Sequence, residues 1–419
     1  MPILRLAWKS LLNRWATAGL TLFSIALSVM LLMGVERLRV EARESFANTL
    51  SGTDLIAGAR TGGVQLLLYS VFRLGHATNN ISWESYLDIA AQKSVAWTVP
   101  ISLGDSHRGY RVLGTTTAYF EHYQHGVNEH LAFAQGYRFN DLYDAVLGAE
   151  VAKKLGYELG EAIVIAHGAS DVSFARHDDK PFKVVGILER TGTPVDRTVH
   201  VSLEAIEAIH IDWQNGAPLP GLSISAEQAR NKDLTPKAIT AVLVGLKSKI
   251  STFKMQRFIN DYKEEPLTAI LPGVALSELW SVIGIAENAL LIISAFVVVV
   301  GLFGMLTVLL ASLNERRREM AILRSVGARP GHIFTLIMGE TAVLTLGGIC
   351  LGLGLLYGLL FIARPIIEAY YGIYVPLGGL THYELLLLGI VVLAGFVVGA
   401  LPAYRAYRLS LADGLSMRI

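Results

Sequence analysis

The chain has 419 residues, 52% of them hydrophobic and only 17% charged, with a mean hydropathy of +0.45. Soluble domains carry about a quarter charged residues, so this composition excludes an ordinary soluble protein. A net charge of +1 gives no case for a nucleic-acid or acidic partner. The single cysteine, Cys350, excludes an internal disulfide and, set in an apolar run, reads as a packing residue rather than a redox one.

Four apolar runs reach the roughly 20 residues that a bilayer crossing needs. They are Trp15 to Val35, Asn288 to Leu313, Ile333 to Ala363 and Leu385 to Tyr404. The first is too long for the apolar region of a signal peptide and no A-x-A cleavage site follows it, so it reads as a retained anchor. Positive charge orients the set. Arg5, Lys9 and Arg14 precede the first run; Arg316, Arg317, Arg318, Arg324 and Arg329 lie between the second and third; Arg405, Arg408 and Arg418 follow the fourth. The expectation is a multi-pass inner (plasma) membrane protein with both termini cytoplasmic. Arg37 to about Ile283 and the short loop Arg364 to Glu384 are then outside.

Glu36 to Thr49 is charged and free of glycine and proline, so it reads as a helical stalk continuing the first span. The next stretch, Val64 to Phe72, is strongly apolar but too short to cross a bilayer. It is read either as buried core or as an element at the outer membrane face, where Leu67, Tyr69 and Phe72 would meet lipid or an acyl-anchored substrate. Helices are expected at Ser82 to Lys93, at Ala149 to Leu155 with Gly156 as the stop, and at Leu203 to Ile209. Strands are expected at Ala145 to Gly148, Ala162 to Ala166, Phe182 to Leu188 and Thr198 to Val201. The mixture makes an α+β module.

Candidate chemistry in this loop is thin. His122, His125 and His130 are the metal candidates, His122 and His125 sharing a face if helical. No carboxylate or cysteine completes a closed set, which favours solvated surface histidines, as for His76, His107, His167, His177, His200 and His210. Asp105, Ser106 and His107 are sequence neighbours, which is not how a catalytic triad is arranged. Leu276 to Glu287 forms a second stalk, with apolar residues at helical spacing.

The stretch Asn314 to Arg329 carries the most information. Met320, Leu323 and Val326 recur at helical spacing, and Gly327 followed by Pro330 stops the helix. The expectation is a short, basic, amphipathic cytoplasmic helix between two spans. Its functional reading is a coupling helix made of Glu315, Arg316, Arg317, Arg318, Glu319, Met320, Leu323, Arg324 and Val326. In the third run, Glu340 is an intramembrane carboxylate read as structural or coupling. Gly348/Gly352, Gly354/Gly358 and Gly395/Gly399 have the G-x-x-x-G spacing that permits close helix packing.

The Glu315 to Arg329 stretch resembles the signature of the FtsX-like permeases, the membrane subunits of ABC transporters of the MacB, LolC and LolE type. Leu6 to Arg14 is similar to that family's amphipathic N-terminal helix. Val146 to Gly156 and Phe182 to Leu188 resemble its periplasmic core domain, and Pro402 to Arg408 with Ala412 to Leu415 its C-terminal tail. The fold implied is α-helical and membrane-embedded, with four transmembrane helices and a large α+β extracytoplasmic domain inserted between the first two. The domains expected are 1–36 (cytoplasmic helix and first span), 37–283 (MacB-like periplasmic core with stalks) and 284–419 (FtsX-like permease with coupling helix).

The resemblance implies a homodimer or a pair with a paralogous permease, an ABC ATPase subunit, mechanical transmission across the membrane, and contact with membrane lipid and a periplasmic partner. These residues contain no G-x-x-x-x-G-K-[ST] loop, no G-x-S-x-G and no H-E-x-x-H. The expectation is a non-catalytic subunit with no cofactor of its own, ATP sitting on the partner. Its work would be export or extraction of a lipoprotein, lipid or other amphiphile. A metal-linked, zinc-type ABC permease and an FtsX-like transmembrane signalling scaffold are the alternatives.

Overall fold

In the computed structural model, residues 14–47, 49–167, 177, 179–214, 217–218, 224–315, 317–371 and 378–408 are described. The expected N-terminal helix over residues 6–13 and the tail motif over 412–415 lie outside them. In chain order, α1 (Trp15–Ala47) leads to β1 (Leu55–Ala59), α2 (Gly63–Ser70), α3 (Trp83–Ala90), β2 (Val95–His107) and β3 (Tyr110–Thr115). There follow β4 (Phe133–Gly136), β5 (Asp144–Leu147), α4 (Ala149–Leu155), β6 (Phe182–Leu188), β7 (Thr198–Ser202) and α5 (Leu203–His210). The remainder is β8 (Ala241–Leu246), α6 (Thr252–Asn260), β9 (Leu267–Ile270), α7 (Pro272–Glu315), α8 (Arg317–Ser325), α9 (Pro330–Tyr371) and α10 (His382–Arg408). These elements form two compact units, one of Arg43–Ile283 and one of the described residues before and after it.

The Arg43–Ile283 unit is built on a mixed sheet of eleven strands, nine of them in the order β9-β1-β8-β2-β3-β7-β5-β6-β4 and two short ones, Ala162–Ile163 and Ala166–His167, off this path. The pairs β3/β7 and β5/β6 are parallel; the other pairs along this order are antiparallel. Strand residues alternate between the two faces, and both faces are covered. Along β1 and β8, Ile56, Ala241 and Leu243 pack with Leu66, Leu67 and Tyr69 of α2. Leu55, Ala57, Val242 and Val244 pack on the opposite side with Ile89 of α3 and with Met255 and Ile259 of α6. Burying each of these large aliphatic side chains contributes roughly 1.5–3 kcal/mol.

Local signals set the helix ends. The Ser82 side chain accepts the Ser85 amide at the start of α3, and the Ser202 side chain accepts the Ala205 amide at the start of α5. Gly156 ends α4 at φ +70°, a conformation that favours glycine. One strand expectation is corrected. Ala162 to Ala166 is not a single strand: Ala162–Ile163 pairs with β6, and Ala166–His167 pairs with β2. The break comes where the Val164 carbonyl bonds His107 Nδ1 at 2.6 Å instead of joining a ladder.

In the other unit, α1, α7, α9 and α10 are each long and apolar enough to cross a membrane. Both expected stalks are helical, since α1 runs to Ala47 and α7 begins at Pro272. Of the buried residues of α1, Ile25, Ala26 and Val29 face glycines. A Cβ at Gly348 of α9 would come within 2.6 Å of Ile25, and one at Gly352 within 2.6 Å of the Ala26 carbonyl. Gly395 and Gly399 of α10 likewise admit Thr345 and Thr341. Small residues here let helices approach closely, which supplies association that lipid-exposed leucines cannot. Gly354 and Gly358 meet nothing within 4 Å. Phe296, Val300 and Phe303 of α7 and Leu359 and Phe361 of α9 are exposed, an apolar surface suited to lipid.

Candidate functional site

The short helix α8 stands between two membrane-length helices. It ends in a Schellman motif: the Ala328 amide donates to the Leu323 carbonyl and the Gly327 amide to the Arg324 carbonyl, with Gly327 at φ +103°. Pro330 then opens α9. Met320 and Ala321 are buried. Met320 packs in a cluster with Leu313 of α7, Ile333 and Ile337 of α9, and Ala403 and Ala406 of α10. The inner face of α8 thus closes one end of the bundle.

The outer face is different. Ile322 is 51% exposed and Val326 83% exposed, while Leu323 and Arg324 are half-buried and Glu319 is exposed. The expected single stripe is therefore divided: Met320 belongs to the bundle, and Val326 stays free. Ile322, which helical spacing alone did not single out, joins Val326 as open apolar surface. Only the bundle's position shows which side of α8 is covered. Arg316 lies outside the described residues, as do the side chains of Glu315, Arg317 and Arg318.

The expected outer-face contact residues take a different place. Leu67, Tyr69 and Phe72 are 2%, 2% and 8% exposed and belong to the core against the sheet. This corrects the reading of an exposed lipid-contact element: α2 is apolar because it covers one face of the sheet.

The metal candidates do not assemble. His122 stacks on Trp97 at 4.8 Å with the rings 3° from parallel. His125 lies 4.0 Å from Glu129, and the His130 ring bonds Gln124 Nε2 and the Glu121 carbonyl. Among the described residues, no group of three or more His, Cys, Asp or Glu side chains could hold a metal ion.

Nor are the other histidines mostly solvated. His107, His177 and His200 are buried. The His107 ring bonds the Val164 carbonyl and the Tyr157 hydroxyl, so Asp105, Ser106 and His107 form no triad. Burial, with help from the Arg73 charge, pushes His200 down to about 3 against the pull of the Val146 carbonyl. For His210, burial works downward, but the Asp105 carboxylate at 3.6 Å outweighs it and the net direction is upward.

Glu340 of α9 is buried beside Thr341. Thr381 and Glu384 form a reciprocal cap at the start of α10, the Thr381 amide donating to Glu384 Oε2 and the Glu384 amide to Thr381 Oγ1. Cys350 is exposed on α9.

The model of the MacB-like periplasmic core domain matches residues 18–254, more than half of the chain. The chain belongs to the MacB-type, FtsX-like permease family. The FtsX-like permease C-terminal model matches residues 291–411, which include α8. Among relatives of this MacB-type permease, the macrolide export ATP-binding/permease protein MacB of Photorhabdus laumondii is 29% identical over 127 residues, 30% of this chain and 19% of that one. An uncharacterized ABC transporter permease of Bacillus subtilis, YknZ, is 32% identical over 125 residues, 29% of this chain and 30% of that one. MacB of Bdellovibrio bacteriovorus is 22% identical over 95% of this chain and 59% of its own length. The MacB-type permease thus spans from about a fifth to three-fifths of these relatives' lengths. The periplasmic region of MacB from Actinobacillus actinomycetemcomitans matches with a TM-score of 0.33 at 11% identity, covering 56% of this chain and 94% of that one.

Proposed function

We propose that this chain is the membrane subunit of an ABC transporter and that α8 docks on a separate ABC ATPase. The observation that carries this reading is the two-sided α8: Met320 is buried against the ends of α7, α9 and α10, while Ile322 and Val326 stand exposed beside Arg324. A helix so fixed on one side and apolar on the other suits a groove-docking contact. Movement of the ATPase would then reach α7 and α9 directly, since α8 joins them in sequence. The family resemblance supports ATP hydrolysis on the partner, transmission of motion to the extracytoplasmic domain, and a lipoprotein, lipid or other amphiphile as cargo. Gly354 and Gly358, open on α9, suit close approach by a helix of a second copy or a paralogous permease.

The test is co-purification with the ABC ATPase expressed from the same gene cluster. Ile322→Asp and Val326→Asp should abolish ATPase capture and stimulation while the permease still inserts in the membrane. Normal capture by both variants would refute docking through α8.

A further inference from the structure

We propose that the Arg43–Ile283 unit binds a phosphate-type oxyanion in a cavity walled by Arg73 and Arg111. The cavity holds about 280 Å³ and lies between the loop after α2 and strands β2 and β3. Its wall carries Tyr69, Arg73, His76, Asn79, Asn80 and Arg111, and none of its lining residues is acidic.

Two arginines share this small space without a carboxylate. Arg73 Nη1 donates to the Ser70 carbonyl, and among the described residues its buried Nε has no hydrogen-bond partner. Arg111 Nη2 donates to the Gly75 carbonyl at 3.1 Å. Elsewhere in the unit arginines find acids, as Arg138 does with Glu121 and Arg230 with Asp141. A half-buried guanidinium group without a carboxylate partner costs free energy unless an anion compensates it. Burial holds Arg111 below its ordinary value, the signature of a cation whose solvation has not been replaced. Arg73 also sits at φ +60°, a left-handed conformation that non-glycine residues seldom adopt. Strain of that kind concentrates at ligand sites. The Tyr69 hydroxyl, buried at the same wall, has no hydrogen-bond partner among the described residues, and buried polar groups nearly always have one.

A phosphate group answers each of these features. Its two negative charges match the two guanidinium groups, which bind phosphate through paired N–H donors. Asn79 and Asn80 supply neutral amide donors at the same wall. The volume suits a single phosphate or the phosphate end of a larger molecule. This site is separate from α8, and the inference does not rest on the coupling reading.

The experiment uses the full chain, first in detergent with inorganic phosphate titrated at constant ionic strength. The readouts are heat of binding and apparent Tm. A phosphate-dependent signal with Kd below about 1 mM is expected, weakened roughly tenfold or more by Arg111→Gln. Asn79→Asp, which keeps the side-chain oxygen that accepts the Asn80 amide, should weaken binding by adding a negative charge at the wall. Lys254→Gln, at an exposed cation elsewhere on the unit, should leave it unchanged.

A second arm compares nanodiscs of phosphatidylcholine with and without phosphatidic acid. Stabilisation by free phosphate identifies a soluble anion. Stabilisation only by phosphatidic acid, lost in Arg111→Gln, identifies a lipid headgroup. Absence of both signals, or equal binding by wild type, Arg111→Gln and Asn79→Asp, overturns the proposal.

Discussion

His200 makes the extracytoplasmic unit sensitive to acid, by an amount that can be worked from its surroundings. The side chain is fully buried, its ring 5.3 Å from that of Tyr119 and 5.9 Å from that of Phe120. Nδ1 lies 3.2 Å from the Val146 carbonyl, a contact that a neutral imidazole makes as donor. Burial and the nearby Arg73 push the group down to about 3, whereas the unfolded chain titrates near 6.5. The folded value is therefore below the unfolded one. Stability is fully present above about pH 6.5 and drains away as pH falls toward the folded value, because only the unfolded state takes up the proton. Well below the unfolded value each pH unit costs about 1.4 kcal/mol, and because the unfolded histidine is already half protonated at pH 6.5, moving from pH 6.5 to 4.5 costs about 2 kcal/mol. For a unit of this size that is an apparent Tm loss of roughly 4–9 °C. His200→Phe retains an aromatic ring and cannot take a proton. Other groups also titrate, so the quantity to measure is the Tm difference between wild type and His200→Phe in detergent at several pH values. It should shift in favour of the variant by the full amount between pH 6.5 and 4.5. A difference that stays constant with pH refutes the reasoning.

Four further outcomes follow from the same structure. Lys180 is fully buried, with Nζ 2.7 Å from Asp179 and 3.1 Å from Asp212; Lys180→Met strands the buried Asp212 carboxylate and should cost about 3–5 kcal/mol in denaturant unfolding. In the membrane unit, Gly399→Leu collides with Thr341, which lies 2.4 Å from the added Cβ, and should sharply reduce the yield of folded protein from detergent extraction. At Gly358 an added Cβ has no described residue within 4 Å, so Gly358→Leu should leave yield intact while weakening any self-association seen by crosslinking. For orientation, a cysteine at Ile250 in a Cys350→Ala background should react with an impermeant thiol reagent in intact cells and one at Val326 should not; the opposite labelling would overturn the proposal that both termini are cytoplasmic.

Much of the architecture is legible in the residues alone. Four long apolar runs cannot satisfy their backbone in lipid except as helices, so their number and approximate limits follow from composition. Helix stops are equally local: Gly156 and Gly327 are placed where a left-handed residue is needed. The strands β1, β8 and β9 were not legible. Both faces of β1 and β8 are covered, so Leu55–Ala59 and Ala241–Leu246 read as plain apolar runs without alternation. The same ambiguity misplaced Leu67, Tyr69 and Phe72, because an apolar segment looks alike in sequence whether it meets a sheet or a lipid.

The candidate sites divide in the same way. Short-range pattern marks α8 as a stopped, amphipathic helix, because its periodicity and its caps lie within a few residues. Which of its apolar residues remain free depends on α7, α9 and α10, whose contacting residues lie up to 86 positions from Met320. That Arg73 and Arg111 line one cavity comes from the folding of the loop after α2 over β2 and β3. Sequence alone determined the membrane class, the four spans and the permease family, because bilayer thickness and backbone hydrogen bonding act on contiguous residues. Tertiary structure alone decided which apolar side chains are buried, which histidines are kept from water and which cations share a cavity, because burial and charge proximity depend on residues that the chain brings together from afar.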